Sequence, residues 1–202
     1  PTGAQAWSAQ SDTLVGLTIG APPDLFNPRG QNWGLTTYAP GALRRQFFAP
    51  FLSTLRGALR NTGGVRIDHA MGLARLWLIP EGMSAAEGAY VAYPLRDLLR
   101  LLALESARAK AVVIAEDRGT VPPGFSERLA RAGVAGMRVL WFERDERGFR
   151  PPARWPCDAV ALTSTHALPT VAGWWRGAAL LTLDKLGLLA RKAVRAARAT
   201  RS

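Results

Sequence analysis

The densest set of groups able to do chemistry is Arg66, Asp68 and His69, answered further along by Glu116 and Asp117. Asp68 follows the short apolar stretch 64–67, and Glu116 follows the apolar, β-branched run 111–115, so both carboxylates sit where a strand gives way to a loop. If those strands are parallel neighbours, the two acids open into one mouth. Two carboxyl groups so placed carry out glycosyl transfer with retention when they stand ~5–5.5 Å apart: one attacks the anomeric carbon and the other first protonates the leaving oxygen. Arg66, two residues before Asp68 and therefore on the same strand face, would keep that aspartate ionised through a charge-assisted hydrogen bond. The same residues also read as a structural ion cluster ending a strand, and spacing alone leaves both readings open.

The elements around these residues follow from hydrophobic periodicity. Residues 20–40 are rich in proline, glycine and asparagine and read as one long loop, which carries Phe26 and Trp33 as groups able to cover a ligand. Residues 43–59 space Leu43, Phe47, Phe48, Phe51, Leu52, Leu55 and Leu59 by threes and fours, which predicts one amphipathic helix. Further helices are predicted over 95–109 and 125–131. Strands are predicted near 65–67, 111–115, 138–142 and 159–163, parallel and neighbouring, each ending in polar residues. Alternating strands and helices of this kind make an α/β fold, read here as a partial (β/α)8 barrel of about four parallel strands with crossover helices.

Composition narrows the class. With 48% hydrophobic residues and a mean hydropathy of +0.01 the chain is neither disordered nor a coiled coil throughout. Its 202 residues fall short of the ~250 usual for a complete eight-unit barrel. No uncharged apolar run reaches ~18 residues and the first twenty lack a secretory pattern, so a cytoplasmic protein with no membrane partner is expected. A single cysteine, Cys157, excludes an internal disulfide. With only two histidines, His69 and His166, no metal-ligand set forms, and neither metal nor cofactor is expected. A net charge of +11 invites a nucleic-acid reading. However, six of the cations fall between Lys185 and Ser202, where there is no acid, and helix-turn-helix, zinc-finger and aromatic ribonucleoprotein motifs are all missing. No nucleic-acid partner is therefore expected, and a basic nucleic-acid module is kept only as an alternative.

A set of ordered motifs adds a resemblance. Gly20-Ala21-Pro22-Pro23-Asp24, Gly30-Gln31-Asn32-Trp33-Gly34, Arg66-Ile67-Asp68-His69 with Gly72-Leu73, and Gly88-Ala89-Tyr90-Val91 with Tyr93-Pro94 are followed by Leu104-Glu105-Ser106 and Glu116-Asp117 with Gly119-Thr120-Val121-Pro122. Phe142-Glu143-Arg144, Thr165-His166 with Leu168-Pro169-Thr170, and Gly173-Trp174-Trp175 complete the series. In order and spacing these motifs resemble the 4-α-glucanotransferase family, also called amylomaltase or disproportionating enzyme, of the α-amylase superfamily.

The resemblance implies a barrel enzyme that moves α-1,4-glucan segments between maltooligosaccharides through a covalent glycosyl-enzyme intermediate. It covers roughly the second half of the catalytic barrel. By motif position Asp68 resembles the nucleophile and Glu116 the general acid/base. Arg66 resembles the arginine that orients the nucleophile, and His166 the histidine that binds the donor sugar. Asp24, Gln31 and Trp33 resemble the lid over the acceptor side, and His69 and Asp117 are grouped with these substrate-binding residues.

Three positions depart from the family pattern. Ala167 stands where a third, transition-state carboxylate should follow His166, Arg118 replaces an apolar residue beside Glu116-Asp117, and Thr36 replaces a proline. A methyl group cannot accept the sugar's hydrogen bonds, so a catalytically impaired glucan-binding fragment is the alternative to an active enzyme. A partial barrel also leaves strand edges that call for a missing barrel segment or self-association. The domain reading is a partial catalytic barrel over 1–182 and a basic helix or tail over 183–202. In that tail Leu186, Leu189 and Val194, set among alanines and basic residues, are read as the aliphatic groups that could dock it. At ~1.5–3 kcal/mol for each fully buried side chain, they would not order its last turns. A chain truncated after Val194 is expected to keep its melting temperature and its maltooligosaccharide binding, both measurable by thermal denaturation and calorimetry.

Overall fold

The computed structural model describes residues 13–24, 27–165 and 168–178, and in it the segment 20–40, expected as one long loop, is partly sheet. Leu17–Ala21 (β1) and Gln31–Leu35 (β2) pair antiparallel, with a register shift between Ile19 and Gly20. A Cβ added at Gly20 would stand 2.0 Å from the Gln31 carbonyl oxygen, so only glycine lets the two backbones come this close. The chain then forms two helices where the periodicity predicted one, Pro40–Arg45 (α1) and Ala49–Leu59 (α2). Phe47 and Phe48 between them are left-handed, at φ 50° and 61°. The break follows from Pro50, which lacks an N–H and is tolerated only in the first turn of a helix, where it now sits.

Gly64–Ile67 (β3) leads into a 3-10 turn at Ala70–Leu73, and Arg75–Pro80 (β4) pairs antiparallel with Ala89–Ala92 (β5). β4 also pairs antiparallel with β1, giving a four-stranded sheet ordered β2-β1-β4-β5. This sheet corrects the expectation of strands that are all parallel. Its β4 signal is a period-two alternation in which Leu76 and Leu78 are buried while Arg75 and Trp77 turn to the other face.

Leu95–Ala109 (α3) buries Leu95, Leu98, Leu99 and Leu102, the three-and-four spacing of one apolar face. Val112–Ala115 (β6) follows and lies parallel to β3, pairing Gly64 with Val112 through Ile67 with Ala115. Phe125–Arg131 (α4) then returns the chain to Ala135, which forms a parallel bridge with Ile114. The α2, α3 and α4 faces close on β6 through Leu55, Leu59, Leu102, Val113, Phe125 and Leu129, all buried.

The chain divides into two compact units, Pro1–Gly136 and Met137–Ser202. Gly136–Val139 (β7), which opens the second, pairs with Ala159–Leu162 (β10). The strand expected over 138–142 thus ends early, in a 3-10 turn at Leu140–Phe142. Between them Arg144–Asp145 (β8) and Gly148–Phe149 (β9) form a hairpin. Glu143 is buried with the Arg150 guanidinium 3.4 Å away, and Val171–Trp175 (α5) is capped by Thr170, whose hydroxyl oxygen accepts from the Gly173 N–H. The tail expected over 183–202 lies outside the described residues.

One ion cluster ties α2 to α3. Glu105, 5% exposed, accepts two hydrogen bonds of 2.8 Å from Arg56 and one of 3.0 Å from Arg108. Bonding to Arg56 is the main cause that holds its carboxyl below the usual carboxylate range. The stabilisation is therefore complete above the unfolded value near pH ~4.3 and is lost as pH falls through the lower folded value. Glu105→Gln is expected to lower the melting temperature by about 2–4 °C at pH 7. The difference from the unaltered chain should close in acid, which thermal scans across pH will show.

Candidate active site

The site is built on the parallel β3–β6 pair. One residue beyond the Ile67–Ala115 partners stand Asp68 and Glu116, side by side at the carboxyl ends of two strands whose backbones lie ~4.7–4.9 Å apart. Three hydrogen bonds lock this corner. Glu116 N–H donates to the Ile67 carbonyl at 2.9 Å, Ala70 N–H donates to the Glu116 carbonyl at 3.0 Å, and His69 N–H donates to Glu116 Oε2 at 2.9 Å. His69 adopts the left-handed region, φ 44° and ψ 56°, and it is at this residue that the chain turns out of β3 into the 3-10 turn. A non-glycine residue held there costs of order 1–2 kcal/mol, and such outliers cluster at functional corners.

Arg66 donates from Nη1 to Asp68 Oδ1 at 2.5 Å, and the Asp68 side chain is 77% exposed, open to a ligand. Burial pushes the His69 imidazole below its ordinary value, against the opposing pull of the Glu116 and Asp68 carboxylates. The ring is therefore neutral at pH 7. Both acids act on it electrostatically, so the imidazole sits within the field of the carboxylate pair.

Beside this corner lies a cavity of about 410 Å³ whose wall includes Asp24, Gln31, Trp33, His69, Arg75, Trp77, Tyr90 and Arg118. Trp33 meets His69 edge-on at 5.1 Å between ring centres, and its Nε1 donates to Gln31 Oε1 at 3.1 Å. Asp24 Oδ1 accepts from the Asn27 N–H at 2.6 Å, which folds the tip between β1 and β2. Thus Asp24, Gln31, Trp33 and His69 are brought together on one wall. Arg66, Asp68 and Glu116 are not on that wall but adjoin it through His69 and Arg118 in sequence. Asp117 is buried, and His166 and Ala167 lie outside the described residues.

Arg75, Trp77 and Met71 are cavity residues that the sequence reading passed over. For two of them the signal was present: Arg75 and Trp77 alternate with buried leucines along β4, and a polar-aromatic face opposite an apolar one marks a wall open to solvent or ligand. Among the described residues no group of three or more His, Cys, Asp or Glu could hold a metal ion, and no helix is long and apolar enough to cross a membrane.

Comparison with known proteins decides the family. Residues 1–201 match the family profile described as 4-alpha-glucanotransferase. The chain belongs to that family. It is 42% identical over 194 residues to the 4-alpha-glucanotransferase of Mycobacterium tuberculosis (strain ATCC 25618 / H37Rv), an alignment covering 94% of the chain and 27% of the relative. It is 40% identical over 186 residues to that of Haemophilus influenzae, covering 92% and 27%. The amylomaltase from Corynebacterium glutamicum superposes with a TM-score of 0.88 at 35% identity, over 96% of the chain and 28% of that structure. The chain thus spans about a quarter of the length of these 4-alpha-glucanotransferases. An amylomaltase from Streptococcus agalactiae in complex with acarbose, at 22% identity and a TM-score of 0.69, shares the fold.

The Trp33–His69 contact gives the corner an optical readout. A protonated imidazole quenches an adjacent indole, so tryptophan emission is expected to fall on acidification with a midpoint below the ordinary histidine value of ~6.5. Trp33→Phe should abolish this step, as a fluorescence titration will show.

Proposed function

We propose that this chain supplies the catalytic carboxylates of a 4-α-glucanotransferase, which moves α-1,4-glucan segments between maltooligosaccharides by a retaining double displacement. The observation that carries this reading is the β3–β6 register, which sets Asp68 beside Glu116 at neighbouring parallel strand ends. That placement suits the ~5–5.5 Å separation of a retaining pair. Asp68, ionised and held by Arg66, attacks the anomeric carbon while Glu116 protonates the departing glycosidic oxygen, leaving a glucosyl ester on Asp68. Glu116, now a carboxylate, takes the proton from the 4-hydroxyl of an incoming glucan as that oxygen displaces Asp68, and the new α-1,4 bond forms with Asp68 restored.

Asp24, Gln31, Trp33 and His69 serve the acceptor side, where an aromatic face stacks on glucose and excludes water. His166 binds the donor sugar, and Asp117 belongs with the substrate-binding residues. The fold in this reading is a partial (β/α)8 barrel of about four parallel strands with crossover helices. Support comes from the parallel β3–β6 pair and the parallel Ile114–Ala135 bridge. β3 has one edge without a partner among the described residues, and this edge takes the remaining barrel segment or a second copy. The setting is cytoplasmic, with α-1,4-glucans as the partners.

A second reading is favoured by one residue. Ala167 removes a carboxylate that would grip the sugar next to the scissile bond, which makes the chain a glucan binder of low turnover. Asp68→Asn and Glu116→Gln should each cut disproportionation of maltotriose, read as glucose release, by about 10²–10⁴-fold. Ala167→Asp should raise it once the remaining barrel strands are supplied. No gain from Ala167→Asp supports the binder, and tight, salt-sensitive DNA binding without affinity for maltooligosaccharide would replace both readings.

A further inference from the structure

Arg75 stands at the start of β4 with its guanidinium carbon 4.1 Å from the centre of the Tyr90 ring. Tyr90 is itself braced edge-on by Trp77 at 5.0 Å, and the Trp77 indole is pinned by donating to the Ala85 carbonyl at 2.9 Å. The guanidinium is thus held in one plane on the cavity wall by a stack of rings across β4 and β5. Its hydrogen bonds are missing. Arg75 Nε is sealed from solvent without a hydrogen-bond partner, and no other side-chain nitrogen of Arg75 donates to a described residue or joins an ion pair among them. By contrast Arg66 has Asp68, and Arg56 and Arg108 share Glu105. The sealed Nε cannot meet an occupant, so the donors open to the cavity are the two Nη amines, a planar fork left unused among the described residues.

We infer that Arg75 is a sugar-binding residue of the cavity, its guanidinium donating to two adjacent ring hydroxyls of a glucan unit that sits between it and Trp33. This rests on the glucan reading above and adds to it a residue that selects for the hydroxyl pattern of the sugar. A planar fork suits two neighbouring oxygens, and the Tyr90 stack orders it before the ligand arrives, which lowers the entropic cost of binding. A neutral diol fits better than a phosphate, because the two cations of the wall, Arg75 and Arg118, are offset by Asp24 on the same wall and by the Asp68 and Glu116 carboxylates acting on His69, which lines it.

The test is a titration of tryptophan emission by maltotriose and by maltosides lacking the 2- or the 3-hydroxyl, using the full chain and its Arg75→Gln and Arg75→Lys variants. The unaltered chain should bind maltotriose, with Arg75→Gln about 10–100-fold weaker and Arg75→Lys intermediate. The unaltered chain should also disfavour one deoxy analogue by about tenfold, and Arg75→Gln should lose that preference, a change that simple loosening of the wall does not produce. Should Arg75→Gln fold poorly by near-ultraviolet circular dichroism, the same analogue preference in Arg75→Lys decides. Equal affinity or a retained preference in the variants overturns the inference and leaves the glucan reading intact. Absence of binding by the unaltered chain overturns both. Displacement of maltotriose by inorganic phosphate in the unaltered chain but not in Arg75→Gln would replace the diol with an anion.

Discussion

The parallel pairing of β3 with β6 is the constraint on which the rest depends. Because parallel neighbours end at the same side of a sheet, residues one step past paired positions emerge next to each other, and here those residues are Asp68 and Glu116. The two acids are 48 residues apart in the chain, and the crossover between them includes the buried face of α3. The backbone closes the arrangement by routing His69 through a left-handed turn so that its N–H reaches the Glu116 carboxylate. That bond gives Glu116 a fixed orientation while Asp68 stays open, with Arg66 as its ion-pair partner.

A second layer of the architecture supplies the cavity. The antiparallel sheet β2-β1-β4-β5 stands apart from the parallel pair and carries most of the wall: Gln31 and Trp33 on β2, Arg75 and Trp77 on β4, Tyr90 on β5. Antiparallel strands suit this role because they expose one face while burying the other. Leu76 and Leu78 are sealed while Arg75 and Trp77 face the opening. Asp68 and Glu116 thus come from one sheet and most of the cavity wall from another, and the Trp33–His69 contact is where the two meet.

Charge is spent differently in the two places. Glu105 gathers Arg56 and Arg108 into a structural tie between helices, whereas Arg66 is used on Asp68 and Arg75 is kept on the cavity wall with its donors unused among the described residues. The net charge of +11 is therefore a poor guide to partners. What each cation does depends on whether a carboxylate lies within reach, and that is a property of the fold.

The sequence by itself determined the motif order that carries the family, the helices 95–109 and 125–131, and the strand ends bearing Asp68 and Glu116. Each of these is written in local periodicity or in contiguous residues. Local patterns failed where distant contacts choose. The break at Phe47 and Phe48 depends on how Pro50 starts a helix against the core. The hairpin of β1 and β2 depends on Gly20 meeting Gln31, and β4 was hidden because its alternation means nothing until β1 and β5 lie on either side of it. Only the tertiary structure decided that Arg75, Trp77 and Tyr90 share a cavity with Trp33 and His69, since no spacing along one strand reports what faces it from another.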